Sequence, residues 1–244
     1  MYQRVMLKLS GQALAGGTSD VFHGPSIEYI AGEIIALANN GIQVAAMVGG
    51  GNVFRGKVSE KWNIERAEAD NIGMLGTIAN GLMLRGAIES LSDLQPRVMS
   101  ALAIPSVAEP YIRRRALHHL EKGQIIILVG GIGEPLVTTD YPSVQRAIEL
   151  KCDAVLAAKN GVDGVYSSDP KVDADAALYE AISYTEAIAK NLSFMDAGAL
   201  VLARAHSLPT HVFNFDAKGC AQRICNGEVV GTYLNSGIDT RQQS

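Results

Sequence analysis

The chain has 244 residues, of which 48% are hydrophobic, 19% charged and 6% aromatic, and its formal net charge is -4 at pH 7. This size and composition suit a single large α/β domain with a sizeable core and argue against long disordered arms. The negative charge argues against a general nucleic-acid binder, so we expect no nucleic acid as substrate.

The cysteines and the apolar runs indicate the cellular compartment in which the protein is expected. Cys152, Cys220 and Cys225 are odd in number and lack metal-type spacing, which predicts free thiols in a reducing compartment. No apolar run approaches the ~20 residues that a membrane span needs. The short apolar run 5–7 is cut by Lys8 and does not resemble a signal peptide. We therefore expect a cytoplasmic protein with no membrane partner.

Apolar runs and helical spacing alternate along the chain. Short apolar runs predict buried strands at residues 4–9, 43–48, 124–129, 154–158 and 209–214. Apolar residues at helical spacing predict helices near residues 27–37, 67–91, 112–121, 143–150 and 184–190. The helix at 67–91 contains Gly73 and Gly81, either of which could interrupt it. The alternation predicts a mostly parallel sheet covered on both faces, in one domain spanning residues 1–244.

The first predicted strand runs into Lys8, Leu9, Ser10 and Gly11. Lys8 lies within an apolar stretch, where an unpaired ammonium is costly, so it could meet an anion at the strand end. The turn that follows could offer backbone N–H groups to phosphate oxygens. An ordinary edge lysine that reaches water is an equally good interpretation.

The second predicted strand ends in Gly49, Gly50 and Gly51, with Asn52 and Arg55 close behind. Glycines let a ligand approach the backbone, and an arginine offers a planar set of donors to phosphate. A plain strand–helix turn is the alternative. It would not require three glycines, so we favour a ligand site.

A third glycine-rich segment, residues 128–140, ends in Thr138, Thr139 and Asp140 before a helix. Hydroxyls and N–H groups at a helix amino end favour an anion. Asp140 is more simply interpreted as a helix cap. The alternative is that it lies near a transferred group and orients Lys8 or a metal ion.

A fourth segment, residues 158–170, contains the turn signals Asn160-Gly161 and Asp163-Gly164 and a short strand-like stretch that follows. A structural loop is one interpretation. The other is a purine-nucleotide site in which Tyr166 flanks the base and Asp169 accepts a ribose hydroxyl.

All these segments fall at the carboxyl ends of predicted strands, where ligands bind in open α/β sheets. Two glycine turns, a lysine and an arginine on one edge could hold two phosphorylated ligands facing each other. Phosphoryl transfer needs positioning and electrostatic stabilisation rather than a protein nucleophile. The chain contains no G-x-x-x-x-G-K-[ST] phosphate loop.

At these residues the chain resembles the bacterial uridylate kinases of the amino-acid-kinase superfamily. The resemblance runs nearly end to end. It covers the following stretches: KLSG, GGGNVFRG, ADNIGML, AEPYIRRRA, AKNGVDGVYSSDP, FMD, VFN and GEVVGT.

The resemblance implies a three-layer α/β/α sandwich assembled as a homohexamer, which transfers the γ-phosphoryl group of ATP, with Mg²⁺, to UMP and gives UDP. It implies an acceptor-binding part near residues 1–150 and an ATP-binding part near residues 151–244. Lys8 and Asp140 would be catalytic, with Mg²⁺ carried by ATP rather than by protein ligands. The resemblance assigns these residues to ATP: Lys8, Leu9, Ser10, Gly11, Gly51, Arg55, Asn160, Tyr166 and Asp169. It assigns these to UMP: Gly50, Asp70, Ile132, Gly133, Glu134, Pro135, Leu136, Val137, Thr138 and Thr139.

One acceptor segment departs from the family pattern GTGNP followed by an aromatic residue. Here Ile132 removes a hydroxyl expected near the uracil, and Glu134 brings a negative charge where an amide is usual. Leu136 and Val137 replace larger residues. The departure bears on the acceptor base and its affinity more than on the reaction type.

An arginine run suggests regulation. Arg113, Arg114 and Arg115 resemble the region where family members bind GTP, so GTP or UTP are candidate effectors. A solvated helix face or a subunit salt-bridge network explains the run equally well. His118 and His119 are expected on the surface, because no carboxylate or cysteine lies at metal-ligand spacing.

Two rival functions remain open. One is a nucleotide-sensing regulator of the same fold with weakened catalysis, which the altered segment and the arginine run favour. The other is a superfamily member that phosphorylates a carboxylate or carbamate. A ribose-binding role for Asp70 argues against this second rival.

Overall fold

The computed structural model describes residues 1–54, 61–173 and 175–243. The strands in chain order are β1 (Arg4–Leu9), β2 (Gln43–Val48), β3 (Arg97–Ser100), β4 (Glu109–Pro110), β5 (Ile126–Val129), β6 (Ala154–Lys159), β7 (Tyr179–Ser183), β8 (Thr210–Asn214), β9 (Thr232–Asn235) and β10 (Arg241–Gln242). The helices are α1 (Gly11–Ala15), α2 (Gly24–Asn39), α3 (Arg66–Leu91), α4 (Arg113–Glu121), α5 (Asp140–Glu149), α6 (Tyr184–Ala189), α7 (Ala197–Ala205) and α8 (Cys220–Cys225).

The strands form one ten-stranded sheet in the order β10-β7-β9-β8-β6-β1-β2-β5-β3-β4. Within the described ranges, antiparallel strand pairing is confined to β8 with β9 and β10 with β7. The other neighbours pair in parallel. The prediction of a mostly parallel sheet is confirmed.

Helices cover both faces of the sheet because successive side chains of a buried strand point to opposite sides. On β1, Leu7 packs with residues of α2, α3 and α8 in one core cluster. Its neighbour Met6 packs with residues of α4, α5, α6 and α7 in the other. This arrangement confirms the three-layer α/β/α fold.

The long helix α3 runs without interruption, so its glycines have another purpose than breaking it. A Cβ atom on Gly81 would lie 2.4 Å from Cγ1 of Val129. The glycine therefore lets α3 pack closely on β5. Helix α5 begins at Asp140, three residues before its predicted start, since Pro142 is tolerated in a first helical turn.

The stretch after Gly164 is not a strand. Tyr166 forms a single antiparallel bridge with Leu178. Several of the shorter elements were not predicted from the sequence, namely β3, β4, β7, β9, β10, α1, α7 and α8.

The order of the strands in the sheet determines the edge at which ligands can bind. Strands β1, β2, β5 and β6 are adjacent and parallel, so their carboxyl ends meet at one edge of the sheet. In the part of the chain that the structure describes, no helix is long and apolar enough to cross a membrane.

Candidate active site

A buried ion pair joins the central strand of the sheet to α5. The ammonium of Lys8 lies 2.6 Å from Oδ1 of Asp140, and the two residues are only 7% and 9% exposed. Lys8 belongs to β1, which has a strand on either side, so it is not an edge lysine. The interpretation of Asp140 as the helix cap is wrong, because Thr139 is the N-cap residue and the Asp140 carboxylate contacts Lys8 instead.

The glycine turns after β1 and β2 approach each other too closely for side chains. A Cβ atom on Gly11 would lie 2.6 Å from the Gly51 nitrogen and 2.8 Å from the Gly49 oxygen. A Cβ atom on Gly50 would lie 2.3 Å from the Gly73 oxygen of α3. Glycine is required here because backbones meet directly.

A cleft of about 340 Å³ opens between these turns, α3 and the segment that leads into α5. Because the amino end of a helix attracts anions, the α5 end of the cleft suits a phosphate group. Ten residues that sequence analysis assigned to nucleotides line this cleft: Lys8, Ser10, Gly11, Gly50, Gly51, Asp70, Glu134, Val137, Thr138 and Thr139.

Asp70 connects α3 to the predicted acceptor segment. Its carboxylate accepts hydrogen bonds from Nε of Arg66 at 3.0 and 3.1 Å and from the backbone nitrogen of Leu136 at 2.8 Å. A carboxylate on a cleft wall can also accept hydrogen bonds from sugar hydroxyls. The position of Asp70 therefore suits the ribose of an acceptor nucleotide.

A second cavity, of about 530 Å³, lies between the segment after β6 and the segment after α6. Tyr166 and Asp169 line it, together with residues 190–194. Burial and the charge of Asp163 raise the pKa of Tyr166, so its hydroxyl remains a neutral hydrogen-bond donor. The cavity has the size and mixed polarity of a small-molecule site.

Asn160 lines a different cavity from Tyr166 and Asp169. This third cavity, of about 310 Å³, also includes Gln12 and Tyr29. The side-chain amide of Asn160 donates to Asp216 at 2.7 Å.

Five other predicted site residues that the structure describes are absent from the cleft lining. Leu9 is fully buried in the core, and its carbonyl accepts a hydrogen bond from the Gly49 nitrogen. Arg55 lies outside the described residues. Four acceptor-segment residues are absent from the cleft lining: Ile132, Gly133, Pro135 and Leu136.

Lys159, at the end of β6, was not among the predicted site residues. Its ammonium donates to the carbonyl of Phe194 at 2.6 Å, and Phe194 lines the second cavity. Burial and the charge of Lys8 lower the pKa of Lys159, against the opposing influence of Asp140 and Asp196. Lys159 thus lies between the buried ion pair and the second cavity. The signal that singled out Lys8, a lysine at the end of an apolar run, applied to Lys159 as well.

Asp196, the N-cap residue of α7, connects both sides of the site. Its carboxylate accepts a hydrogen bond from the hydroxyl of Thr138, and its backbone nitrogen donates to Oδ2 of Asp140 at 3.3 Å. Asp196 was not a predicted site residue and stands in the FMD stretch of the family resemblance.

The arginine run on α4 is exposed to solvent. Nε of Arg113 donates to the Glu149 carbonyl at 2.6 Å. Nη1 of Arg115 lies 3.9 Å from Oε2 of Glu109. His119 is partly buried and contacts Gln124 and Glu109, so its predicted surface position is wrong. His118 is exposed, as predicted.

Sequence comparisons connect this geometry to known proteins. The model of the amino acid kinase family matches residues 3–214. A uridylate kinase of Frankia casuarinae is 51% identical over 242 residues, which cover 99% of this chain and 93% of that protein. A uridylate kinase of Streptococcus thermophilus is 42% identical over 241 residues, which cover 99% of this chain and 98% of that protein.

Solved structures extend the likeness to three dimensions. The crystal structure of UMP kinase from Bacillus anthracis has a TM-score of 0.97 and 52% identity, and the match covers 100% of this chain and 99% of that one. The UMP kinase structure from Ureaplasma parvum has a TM-score of 0.91 and 33% identity, and the match covers 97% of this chain and 100% of that one. The chain therefore belongs to the amino acid kinase family and, within it, to the uridylate kinases.

Proposed function

We propose that this chain is a UMP kinase that transfers the γ-phosphoryl group of ATP to UMP and releases UDP and ADP. The observation that carries this assignment is the Lys8–Asp140 ion pair at a cleft, with a second cavity beside it whose residue Phe194 accepts a hydrogen bond from Lys159. The relatives named uridylate kinase support the same conclusion over nearly the whole chain.

We assign the acceptor to the cleft beside α3 and the donor to the part of the chain after residue 150. Asp70 would accept hydrogen bonds from the UMP ribose, while the UMP phosphate would lie at Thr138 and Thr139 on the amino end of α5. Tyr166 and Asp169 would contact the ATP nucleoside in the second cavity. This assignment is supported by the residues of each lining, since Asp70, Thr138 and Thr139 line the cleft and Tyr166 and Asp169 line the second cavity.

In the proposed reaction, an ionised oxygen of the UMP phosphate attacks the γ-phosphorus of ATP. A new P–O bond forms, the bond to the β–γ bridging oxygen breaks, and ADP leaves with that electron pair. The ammonium of Lys8 stabilises negative charge on the moving group, and Asp140 holds the ammonium in place. Lys159 would contribute a second positive charge on the donor side.

We propose that Mg²⁺ enters with ATP. Magnesium keeps several waters and prefers substrate phosphates with one or two carboxylates. Among the described residues, no group of three or more His, Cys, Asp or Glu side chains is placed to hold a metal ion. Bound to the ATP phosphates, the ion would neutralise part of the charge that repels the acceptor.

A coupled assay tests the proposal and its rivals. The enzyme is offered Mg²⁺-ATP with UMP, CMP, AMP or glutamate-type acceptors, and products are identified by chromatography. UDP formation supports a UMP kinase, and acyl-phosphate formation would support a carboxylate kinase. Tight nucleotide binding without turnover would support a sensor.

The same assay decides whether the altered acceptor segment matters. Ile132 and Glu134 replace residues usual for the family, and Glu134 lines the cleft. The ratio of kcat/KM for UMP to kcat/KM for CMP measures how strongly the enzyme discriminates between uracil and cytosine.

We propose that the chain assembles as a homohexamer. The outer face of α3 supports self-association, because Ile72, Leu75 and Met83 are 37%, 54% and 39% exposed. These apolar residues lie along one side of the helix and would be buried by a neighbouring copy. Light scattering coupled to size-exclusion chromatography measures the assembly, and Leu75→Asp should reduce it.

We also propose that a nucleotide effector such as GTP or UTP regulates activity. Arg113 and Arg114 remain candidates because their helix is exposed. A second candidate place is a polar cavity of about 390 Å³, which is lined by Arg85 and Arg97 and also by Glu89 and Glu109. Nε of Arg97 is buried there without a hydrogen-bond partner. Titration with GTP and UTP against Arg97→Gln and Arg113→Gln would decide between the two places.

The thiols support a cytoplasmic location. Cys152, Cys220 and Cys225 are all buried and free, which suits a reducing environment. Fractionation of cells that express the chain tests this.

A further inference from the structure

Asn80 is a fully buried polar residue on α3 that contacts the turn after β2. Its Nδ2 donates to the carbonyl of Gly49 at 2.6 Å and to Oδ1 of Asn52 at 2.7 Å. Its Oδ1 accepts from Nδ2 of Asn52 at 3.0 Å. An amide at 0% exposure is tolerated because its polar atoms are bonded.

Thr77 lies one helical turn earlier and contacts a different glycine turn. It is 3% exposed, and its hydroxyl oxygen accepts from the Gly130 nitrogen at 2.7 Å while donating to the Met74 carbonyl at 2.7 Å. Gly130 has a φ of 74°, a left-handed conformation that begins the segment leading to Thr138 and Thr139.

Together the two residues make α3 a common support for both turns. Residues three apart share one face of a helix, so Thr77 and Asn80 point at the same edge of the sheet. One holds the turn at residues 49–52 and the other holds the turn at Gly130. We propose that Thr77 and Asn80 are positioning residues that set the separation of these two turns, and thereby the alignment of the acceptor with the donor.

This role rests on the proposed phosphoryl transfer, which depends on alignment of the reacting groups. A misplacement of about 1 Å can reduce such a rate about 10²-fold. Thr77 lines the cleft and Asn80 does not, but the Thr77 hydroxyl is bonded to the Met74 carbonyl and the Gly130 nitrogen. Each residue can therefore act through a backbone turn without touching a phosphate. The alternative is that both residues only satisfy buried polar groups and contribute to stability alone.

Thr77→Val tests the proposal, because valine keeps the shape of threonine and removes the acceptor for the Gly130 N–H. We expect kcat/KM for UMP to fall about tenfold or more, with KM for ATP changed less than about twofold. Thr77→Ser restores the hydroxyl and should return kcat/KM to within about twofold of wild type. Ser90→Ala is the matched control, since it removes a hydroxyl bonded to the Ala87 carbonyl at the exposed end of α3.

Hydrogen–deuterium exchange gives a readout that does not depend on activity. Peptides that contain Gly130 should exchange faster in Thr77→Val than in wild type, Thr77→Ser and Ser90→Ala. If the wild type does not phosphorylate UMP, the proposed function fails, and this exchange pattern still decides whether Thr77 holds the turn. If Thr77→Val does not fold by circular dichroism, Thr77→Ala replaces it, because the smaller residue leaves room for a water.

The proposal is overturned if Thr77→Val keeps wild-type kinetics for both substrates. It is also overturned if the Ser and Val variants lose the same activity, or if Gly130 exchange is unchanged. A fall in kcat/KM for UMP with the KM for ATP nearly unchanged, together with rescue by serine, supports it.

Discussion

The Lys8 ammonium and the Asp140 carboxylate lie 2.6 Å apart, and their side chains are only 9% and 12% exposed. Two charges at such depth are tolerated because each compensates the other. In this position Lys8 is available to a phosphoryl group at the strand end, and Asp140 orients it. The pair is therefore better suited to catalysis than to stability, since a buried ion pair adds little net stability.

Removal of Lys8 should disable the reaction while leaving the acceptor site intact. We expect Lys8→Ala to reduce kcat about 10²-fold or more, because the variant lacks the charge that stabilises the transferred group. UMP binding, measured by calorimetry, should persist. Lys122→Ala, which removes an exposed lysine after α4, is the control. An unchanged kcat in Lys8→Ala would exclude Lys8 from the mechanism.

Asp70 should act on acceptor binding. Asp70→Asn keeps one accepting oxygen for the Leu136 nitrogen but removes the charge, so we expect the KM for UMP to rise about tenfold. The KM for ATP should stay near its wild-type value. Steady-state kinetics with each substrate varied in turn measure both constants, and Glu68→Gln on the same helix is the control. A rise in the ATP KM alone would mean that the donor and acceptor pockets are reversed.

Lys159 should impose an alkaline limit on donor binding. Since its pKa is lowered from the ordinary value of 10.5, the ammonium loses its proton at a lower pH than an ordinary lysine. The positive charge is present below that pKa and absent above it. We therefore expect kcat/KM for ATP, which reports the free enzyme, to fall as pH rises, and to begin falling at a lower pH than the titration of an ordinary lysine would give.

Substitutions separate Lys159 from other groups that titrate in this range. Lys159→Arg keeps its charge at all these pH values, so its decline should begin at higher pH than in wild type. Lys159→Met should be slow throughout and show no such decline. A wild-type decline that persists unchanged in Lys159→Arg would assign it to another group.

Local patterns predicted the central strands and the long helices well. The bounds of β1 and β2 match their apolar runs because both strands are buried on both faces. The outer strands β7, β9 and β10 were missed, since short and partly exposed strands carry a weak apolar signal. Gly81 suggested a break in α3, because its close packing against the side chain of Val129 is a tertiary contact that local sequence does not encode.

The site was predicted in outline, and its contacts were not. Lys8 and the glycine turns were correctly placed at strand ends, because parallel topology brings those ends together. A helix cap was preferred to an ion pair with Lys8 as the role of Asp140. The reason is that an aspartate at the start of a helix usually caps the backbone of that helix. Asn80, Thr77 and Asp196 act through contacts to distant segments, which spacing along the chain does not indicate.

His211 should make the fold sensitive to mild acid. Burial lowers its pKa from the ordinary 6.5 to about 4, and Nε2 lies 2.9 Å from the hydroxyl of Tyr2. Because the folded state resists protonation, the unfolded state binds more protons between these two values, and stability falls as pH falls through this window. The difference amounts to about 2 kcal/mol of unfolding free energy between pH 7 and pH 5.

Urea denaturation at both pH values measures this loss. His211→Gln should lose about 2 kcal/mol less than wild type over the same interval, because glutamine does not titrate. The exposed His206 gives the control, and His206→Gln should behave as wild type. An equal acid loss in wild type and His211→Gln would show that carboxylates alone account for the sensitivity, and the buried imidazole would then have no part in it.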